Sequence, residues 1–526
     1  VGSEMCIRDS INVKFVDKSI KAAYIRQRSF LERRDFMSTA VGTNGKPYKR
    51  GLLIAILLIG TFCTVLNQTI LTTAFPTLMK AFDITTSTVQ WLTTGFLLVN
   101  GIMIPVSAWL STRFSTKWLY LSAMTIFEIG TIICFTAPNF QLLLTGRLIQ
   151  AVGVGVTMPL LQTIMLTIFP ADKRGAAMGM AGIVIGLAPA IGPTLSGWVI
   201  DNMSWRDLFG MIIPIVAIVI IAGFFFMANV LETSKPKLDF LSLALSTLGF
   251  GSLLYGFSSV GDDGWTSAKV LIMLAIGVIG IILFVWRQLT MAKPFLDFRV
   301  FKHVRFTVAA ILSSVTNMAM VGAEMVIPLY LQIIHGFSAF DSGLTLLAGA
   351  LMMGIMSPIT GQAFDRFGAK RLAILGMFLL TAGTIPFMFI TRTTATIYIV
   401  VLYAIRMFGI SMVMMPATTA GMNALPLDMM GHGTAVNNTV RQIASSIGTA
   451  ILTSVLSNVT TSQAPAKSLL KSQPLAYQND YFNATLSGYH AAFYVAVAFC
   501  VVGLVVAFFM QDKQHSIKPV TKEVDD

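Results

Sequence analysis

Residues 361–371 read Gly361-Gln-Ala-Phe-Asp365-Arg366-Phe-Gly368-Ala-Lys370-Arg371. An apolar run at 341–362 leads into this stretch and another at 369–391 leaves it. Each run is long enough to cross a bilayer, which takes about 20 apolar residues. The glycines permit a tight reversal between closely packed helices. Asp365 is placed to pair with a neighbouring cation or to cap the next helix's N-terminus. Two membrane spans joined by a short basic reversal form the unit of a multi-span helical bundle.

The same unit recurs in both directions from this loop. Toward the N-terminus, spans are expected near 51–79, 88–109, 117–136, 139–166, 176–200, 207–231, 239–259, 268–288 and 304–331. Toward the C-terminus they fall near 395–421, 433–456 and 488–511. Fourteen such helices take roughly 280 residues, and the chain has 526, of which 55% are hydrophobic and 12% charged. A soluble protein carries about 25% charged residues. A soluble enzyme, a disordered protein and a secreted disulfide scaffold are thereby excluded. Cys63, Cys134 and Cys500 sit inside apolar runs, and with Cys6 they form no CxxC pair, so no zinc or redox motif is expected. The five histidines show no ligand spacing, and no metal site is expected.

Cations arrange themselves by side. With residues 1–50 in the cytoplasm, 28 Lys and Arg fall on the inner side, 6 on the outer side and 3 inside spans. Cationic loops stay cytoplasmic, so both termini are expected inside. The net charge of +13 is then a topology signal, and no nucleic-acid role is expected. Residues 1–36 carry no functional weight, because Met37 offers an alternative start.

Paired features repeat at nearly one offset. Pro76 and Pro328 lie 252 residues apart, Arg113 and Arg366 253, Pro159 and Pro416 257, Arg147 and Arg406 259. Two six-helix halves therefore repeat, with two spans between them. The expected division is an N-terminal segment 1–50, a bundle 51–231, a two-helix insert with linkers 232–303, a second bundle 304–511 and a tail 512–526. Parallel repeats of this kind mark transporters, with the site between the halves near the midplane.

The 361–371 loop resembles the cytoplasmic loop motif of the major facilitator superfamily. Its first-half counterpart, Ala108-Trp-Leu-Ser-Thr112-Arg113-Phe-Ser115-Thr-Lys117, keeps the cations but not the carboxylate. Gly146-Arg147-Leu-Ile-Gln150 with Gly153 and Gly155 resembles the family's fourth-helix motif. Span five, with Gly179, Gly192-Pro193 and Gly197, is similar to its antiporter motif, although Ala188 and Ser196 stand where glycines are usual. Asn67-Gln68-Thr69-Ile70 before Ala74-Phe75-Pro76, and Trp205-Arg206-Asp207-Leu208-Phe209, resemble fourteen-span drug exporters, with Asn67 at a position that is Asp in many of them. Over residues 51–511 the chain thus looks like a drug:proton antiporter of the EmrB/QacA type, closest to its lincomycin-resistance branch.

That resemblance implies an all-α integral membrane protein of major facilitator fold. It has two six-helix bundles, two inserted central helices and fourteen transmembrane helices in all. It further implies a monomeric bacterial plasma-membrane exporter of drugs or other amphipathic molecules, driven by protons, with no cofactor. No GxxxxGK[ST] loop occurs, so ATP is not expected to drive it. Transport of one metabolite or nutrient, and integral-membrane enzymology, are the alternatives.

Of 24 acidic residues only Glu128 and Glu324 lie within apolar spans. A membrane carboxylate is a functional candidate by default. Glu324 is the expected proton carrier, because Pro328 four residues later cannot donate to its carbonyl and opens the helix there. Glu128 is the second candidate, or else a buried pair with a polar neighbour. Arg147, Arg406 and Arg441 are expected charge partners in the spans, Arg147 and Arg441 for Glu324. An arginine at that depth either faces a wet cavity or is held by buried partners. Asn67 and Gln68 are expected to contact substrate. Arg113, Lys117, Gly361, Asp365, Arg366 and Gly368 are the expected gating-loop residues.

Overall fold

The computed structural model describes residues 39–43, 45–71, 74–84, 86–234, 239–292, 294–466 and 473–511. Residues 1–36, the tail from 512, and the loop cations Lys235, Lys237, Lys293, Lys467 and Lys471 lie outside the described residues.

Among the described residues fourteen helices are long and apolar enough to span a membrane. In the first half they are Arg50–Thr69, Trp91–Arg113, Thr116–Thr136, Phe140–Ile168, Arg174–Asn202 and Asp207–Phe226. Spans seven and eight are Phe240–Val260 and Ala268–Thr290. The second half comprises Val304–Ile333, Phe340–Phe367, Ala369–Phe389, Thr396–Asn423, Leu427–Ser462 and Pro474–Phe508. The face on which span one begins and span fourteen ends is called the basic face below. On it, strands β1 (Thr39–Val41) and β2 (Pro47–Lys49) pair antiparallel just before span one.

Three boundaries differ from the sequence reading. Span one stops at Thr69, and a separate helix, Phe75–Phe82, follows with Pro76 in its first turn. Proline suits a first turn but breaks a helix interior. Spans thirteen and fourteen run for 36 and 35 residues, well beyond the apolar cores expected at 433–456 and 488–511. At about 1.5 Å per residue such helices outreach a ~30 Å hydrocarbon layer. Their polar ends are therefore helical outside it, where hydropathy carries no signal.

In lipid, helices associate through close packing rather than through hydrophobic burial. The two halves solve this alike. A Cβ on Gly130 of span three would lie 2.7 Å from the Gly146 carbonyl of span four, and one on Gly376 of span eleven 2.7 Å from the Gly409 carbonyl of span twelve. Neither pair tolerates a side chain. Spans seven and eight also meet at glycines, Gly249 and Gly280. Span seven then packs Leu254 on Gly101 of span two and Val260 with Ala450 of span thirteen. The insert thus covers a seam between the halves. On the basic face Arg287 clamps Asp239 with bonds of 2.7 and 3.0 Å. This guanidinium holds the Asp239 carboxyl well below the usual range, so the clamp stays charged.

Candidate functional site

Arg147 is fully buried in span four. Its Nη1 donates to Asn67 Oδ1 at 2.8 Å, to the Asn67 carbonyl at 3.1 Å and to Gln150 Oε1 at 2.9 Å. Gln150 in turn donates to Thr131 Oγ1 at 2.8 Å. The guanidinium lies 4.2 Å from the centre of the Phe96 ring, a geometry that stabilises a cation. Every hydrogen-bond acceptor is neutral, and Nη2 has no partner. A buried charge without a counter-charge is costly, and here it is offset by neutral acceptors, the Leu92 carbonyl taking the Nε–H at 3.4 Å as well.

The second half repeats the device with different partners. Arg406, also fully buried, donates to Thr384 Oγ1 and, at 3.0 Å, to the Ala319 carbonyl. Ala319 stands 252 residues after Asn67, the offset that also relates Pro76 to Pro328. Each arginine therefore reaches a carbonyl on the first helix of its own half. Glu324 lies five residues beyond Ala319 on span nine. Partly exposed, it feels the charge of Arg406, and Tyr403 of span twelve feels that of Glu324.

Of the three span arginines expected as charge partners, Arg406 is the one whose charge acts on Glu324, through space and without a hydrogen bond between them. The bonds of Arg147 all go to first-half residues. Arg441 Nη1 has no hydrogen-bond partner, and among the described residues no ion pair within 4.0 Å involves Arg147, Arg406 or Arg441. Glu128 is buried on span three with Oε2 unpartnered, so no polar neighbour satisfies that oxygen. Gln68 is partly exposed and Asn67 buried. Thr384, Thr131 and Tyr403 escaped the sequence reading, since nothing distinguishes one membrane Thr or Tyr from another before the helices are rotated into place.

The halves are fastened at the basic face. Asp365 Oδ1 accepts the Gly175 N–H and Oδ2 the Ala176 N–H, both at 3.1 Å. The carboxylate thus caps the N-terminus of span five across the interface, where the helix dipole favours negative charge. Arg174 donates to Asn423 Oδ1 at 2.8 Å, and Asn438 to Gln162 Oε1 at 2.7 Å. Spans five and ten run antiparallel in contact: a Cβ on Gly361 would lie 2.3 Å from the Gly175 carbonyl, and one on Gly179 2.6 Å from the Ser357 carbonyl. Gly197 faces Phe340 near the other end. Gly368 adopts φ +81°, the left-handed region that glycine enters freely.

Gly192 faces a different helix, where a Cβ would lie 2.2 Å from Thr69 Oγ1. That hydroxyl donates to the Pro189 carbonyl at 3.1 Å. Pro193 has no N–H to offer this carbonyl, so Thr69 replaces the missing bond.

The first-half loop stays within its own half. Thr112 Oγ1 bonds the Trp109 carbonyl at 2.9 Å, and Lys117 bonds Asn229 and the Phe224 carbonyl. Arg113 and Arg366 occupy last helical turns, where cations suit the C-terminal dipole. Among the described residues no cluster of three His, Cys, Asp or Glu could hold a metal.

The sequence pattern of the Major Facilitator Superfamily matches residues 57–449. The chain is 48% identical to the uncharacterized MFS-type transporter YcnB of Bacillus subtilis (strain 168), over 89% of this chain and 97% of that one. It is 40% identical to the lincomycin resistance protein LmrB of Listeria innocua, over 89% and 98%. The human organic anion transporter MFSD10 shares the fold, with TM-score 0.61 at 13% identity, over 87% of this chain and 99% of that one.

Proposed function

Because the chain belongs to the major facilitator superfamily, we propose that this multi-pass membrane transporter exports drug-like amphipathic molecules in exchange for protons. The observation that carries this reading is Glu324, a partly exposed carboxylate inside a span, beside Arg406 but not locked to it in an ion pair. Such a group can take up and release a proton as the site faces each side in turn. Protonation removes its attraction for Arg406, whose remaining acceptors are the neutral Thr384 and Ala319. The coupling then acts on contacts between spans nine, eleven and twelve.

Alternating access also needs the fastening at the basic face to open and close. Asp365 is built for that, because it grips only two backbone N–H groups of the opposite half. The LmrB relative supports an antibiotic among the substrates. One charge crossing 100 mV supplies about 2.3 kcal/mol, or roughly a fiftyfold substrate gradient.

In everted, energised vesicles a protonophore should abolish uptake of lincomycin or a substitute dye while ATP is still present. Uptake that survives the protonophore and stops on ATP removal would refute the coupling.

The basic face is proposed to be cytoplasmic, as the loop cations suggest. Single cysteines at the exposed Ser234 and Thr393 test this in intact cells with an impermeant thiol reagent. Labelling at Thr393 alone is expected, and labelling at Ser234 alone reverses the topology.

A further inference from the structure

We propose that a pocket on the basic face, remote from Glu324 and Arg147, binds the phosphate of an anionic phospholipid. The pocket has a volume of about 510 Å³ and is lined by Lys46, Lys49 and Lys117, with no carboxylate among its described lining residues. It is built rather than incidental. The Thr43 N–H and hydroxyl both donate to the Asn229 carbonyl, at 2.8 and 3.1 Å, anchoring the β1–β2 turn. The amide oxygen of the same Asn229 accepts the Lys117 N–H at 3.1 Å. Thr116 Oγ1 accepts the next two N–H groups, from Val230 and Leu231, at 3.2 and 3.0 Å. Hairpin, start of span three and the segment after span six are thereby tied into one frame.

Lys117 is held in place by the end of span six. Its Nζ donates to the Phe224 carbonyl at 2.5 Å and lies 5.1 Å from the centre of the Phe224 ring. That carbonyl is in the helix's last turn, where a cation is favoured. An ammonium has three N–H donors, so donors remain for an anion. Lys46 and Lys49 approach from the exposed hairpin.

The opposite wall is apolar and faces lipid. Phe225 and Phe226 close span six and are 70% and 53% exposed. Ile221 and Ile218, four and seven residues before Phe225, continue one helical stripe and are 59% and 66% exposed. Cations therefore meet a lipid-facing stripe at the very end of the apolar helix, the level of the headgroups. Basic pockets at this level bind anionic headgroups. A free phosphate would engage the lysines but leave the stripe unused; a phospholipid engages both. Bound there, the lipid clasps the hairpin to the ends of spans three and six.

The test uses the full-length protein in detergent, with lipid adducts counted by native mass spectrometry. Phosphatidylglycerol should bind in preference to phosphatidylcholine. In the Lys46→Gln/Lys49→Gln variant its affinity should fall roughly thirtyfold, the loss of two juxtamembrane cations. The Lys46→Arg/Lys49→Arg variant should retain it, which separates charge from folding. Equal binding of the two lipids overturns the proposal. So does an unchanged Gln variant, an Arg variant as weak as the Gln variant, or displacement by soluble glycerol phosphate at matched concentration.

Discussion

Glu324→Gln should abolish proton-driven accumulation while leaving the protein in the membrane. The glutamine keeps the size and the hydrogen-bonding capacity of a protonated carboxyl, so packing around span nine is preserved. What it removes is the ability to cycle between charged and neutral forms beside Arg406. A transporter without that cycle can only equilibrate its substrate. The roughly fiftyfold gradient that one charge sustains per 100 mV should collapse to no gradient. Counterflow of labelled drug across proteoliposomes, which needs no proton, should persist. Glu128→Gln is the control, since Glu128 is buried at 8% exposure and among the described residues no cation forms an ion pair with it. If Glu324→Gln accumulates drug normally under an imposed pH gradient and Glu128→Gln does not, the proton travels on the other carboxylate.

The second large effect is expected at the contact between spans five and ten. Gly361→Ala places a methyl 2.3 Å from the Gly175 carbonyl, and backbone cannot swing aside as a side chain can. The helices must separate, at an overpacking cost of about 1–3 kcal/mol, which shifts the fastened state roughly fivefold to 150-fold. Asp365→Asn attacks the same contact differently. It keeps one acceptor but loses the charge facing the helix N-terminus, worth up to about 2 kcal/mol when partly buried. Transport turnover should fall about fivefold or more in both. Thr112→Ala should change turnover less than about twofold, because the Thr112 hydroxyl bonds only its own helix and the carbonyl that accepts the Ser234 N–H is kept. Turnover assays with matched expression decide this, and equal losses in Asp365→Asn and Thr112→Ala would remove the asymmetry between the two loops.

Much of the architecture was legible before any coordinates. Fourteen apolar runs imply fourteen helices because a backbone in lipid must satisfy its own N–H and C=O groups, which is a local demand. The recurrence of Arg147 as Arg406 announced two related halves, and the loop at 361–371 announced a reversal between packed spans. Misjudged ends, such as the polar turns of spans thirteen and fourteen, failed because hydropathy reports lipid contact, not helicity.

Partners were another matter. An intramembrane arginine declares a need for acceptors, but which acceptors meet it depends on how each helix is rotated and tilted. Those angles are set by packing against other helices. Hence Arg147 settles on Asn67 and Gln150, whereas Arg406 settles on Thr384 and the Ala319 carbonyl. Likewise Gly179 and Gly197 face span ten while Gly192, in the same motif, faces span one. Asp365 could have paired with any nearby cation, and instead caps a helix 190 residues away in sequence. Membrane helices are apolar on every side, so no periodicity marks the face that packs. Local chemistry settled the elements; only the packed bundle chose which of their polar groups meet.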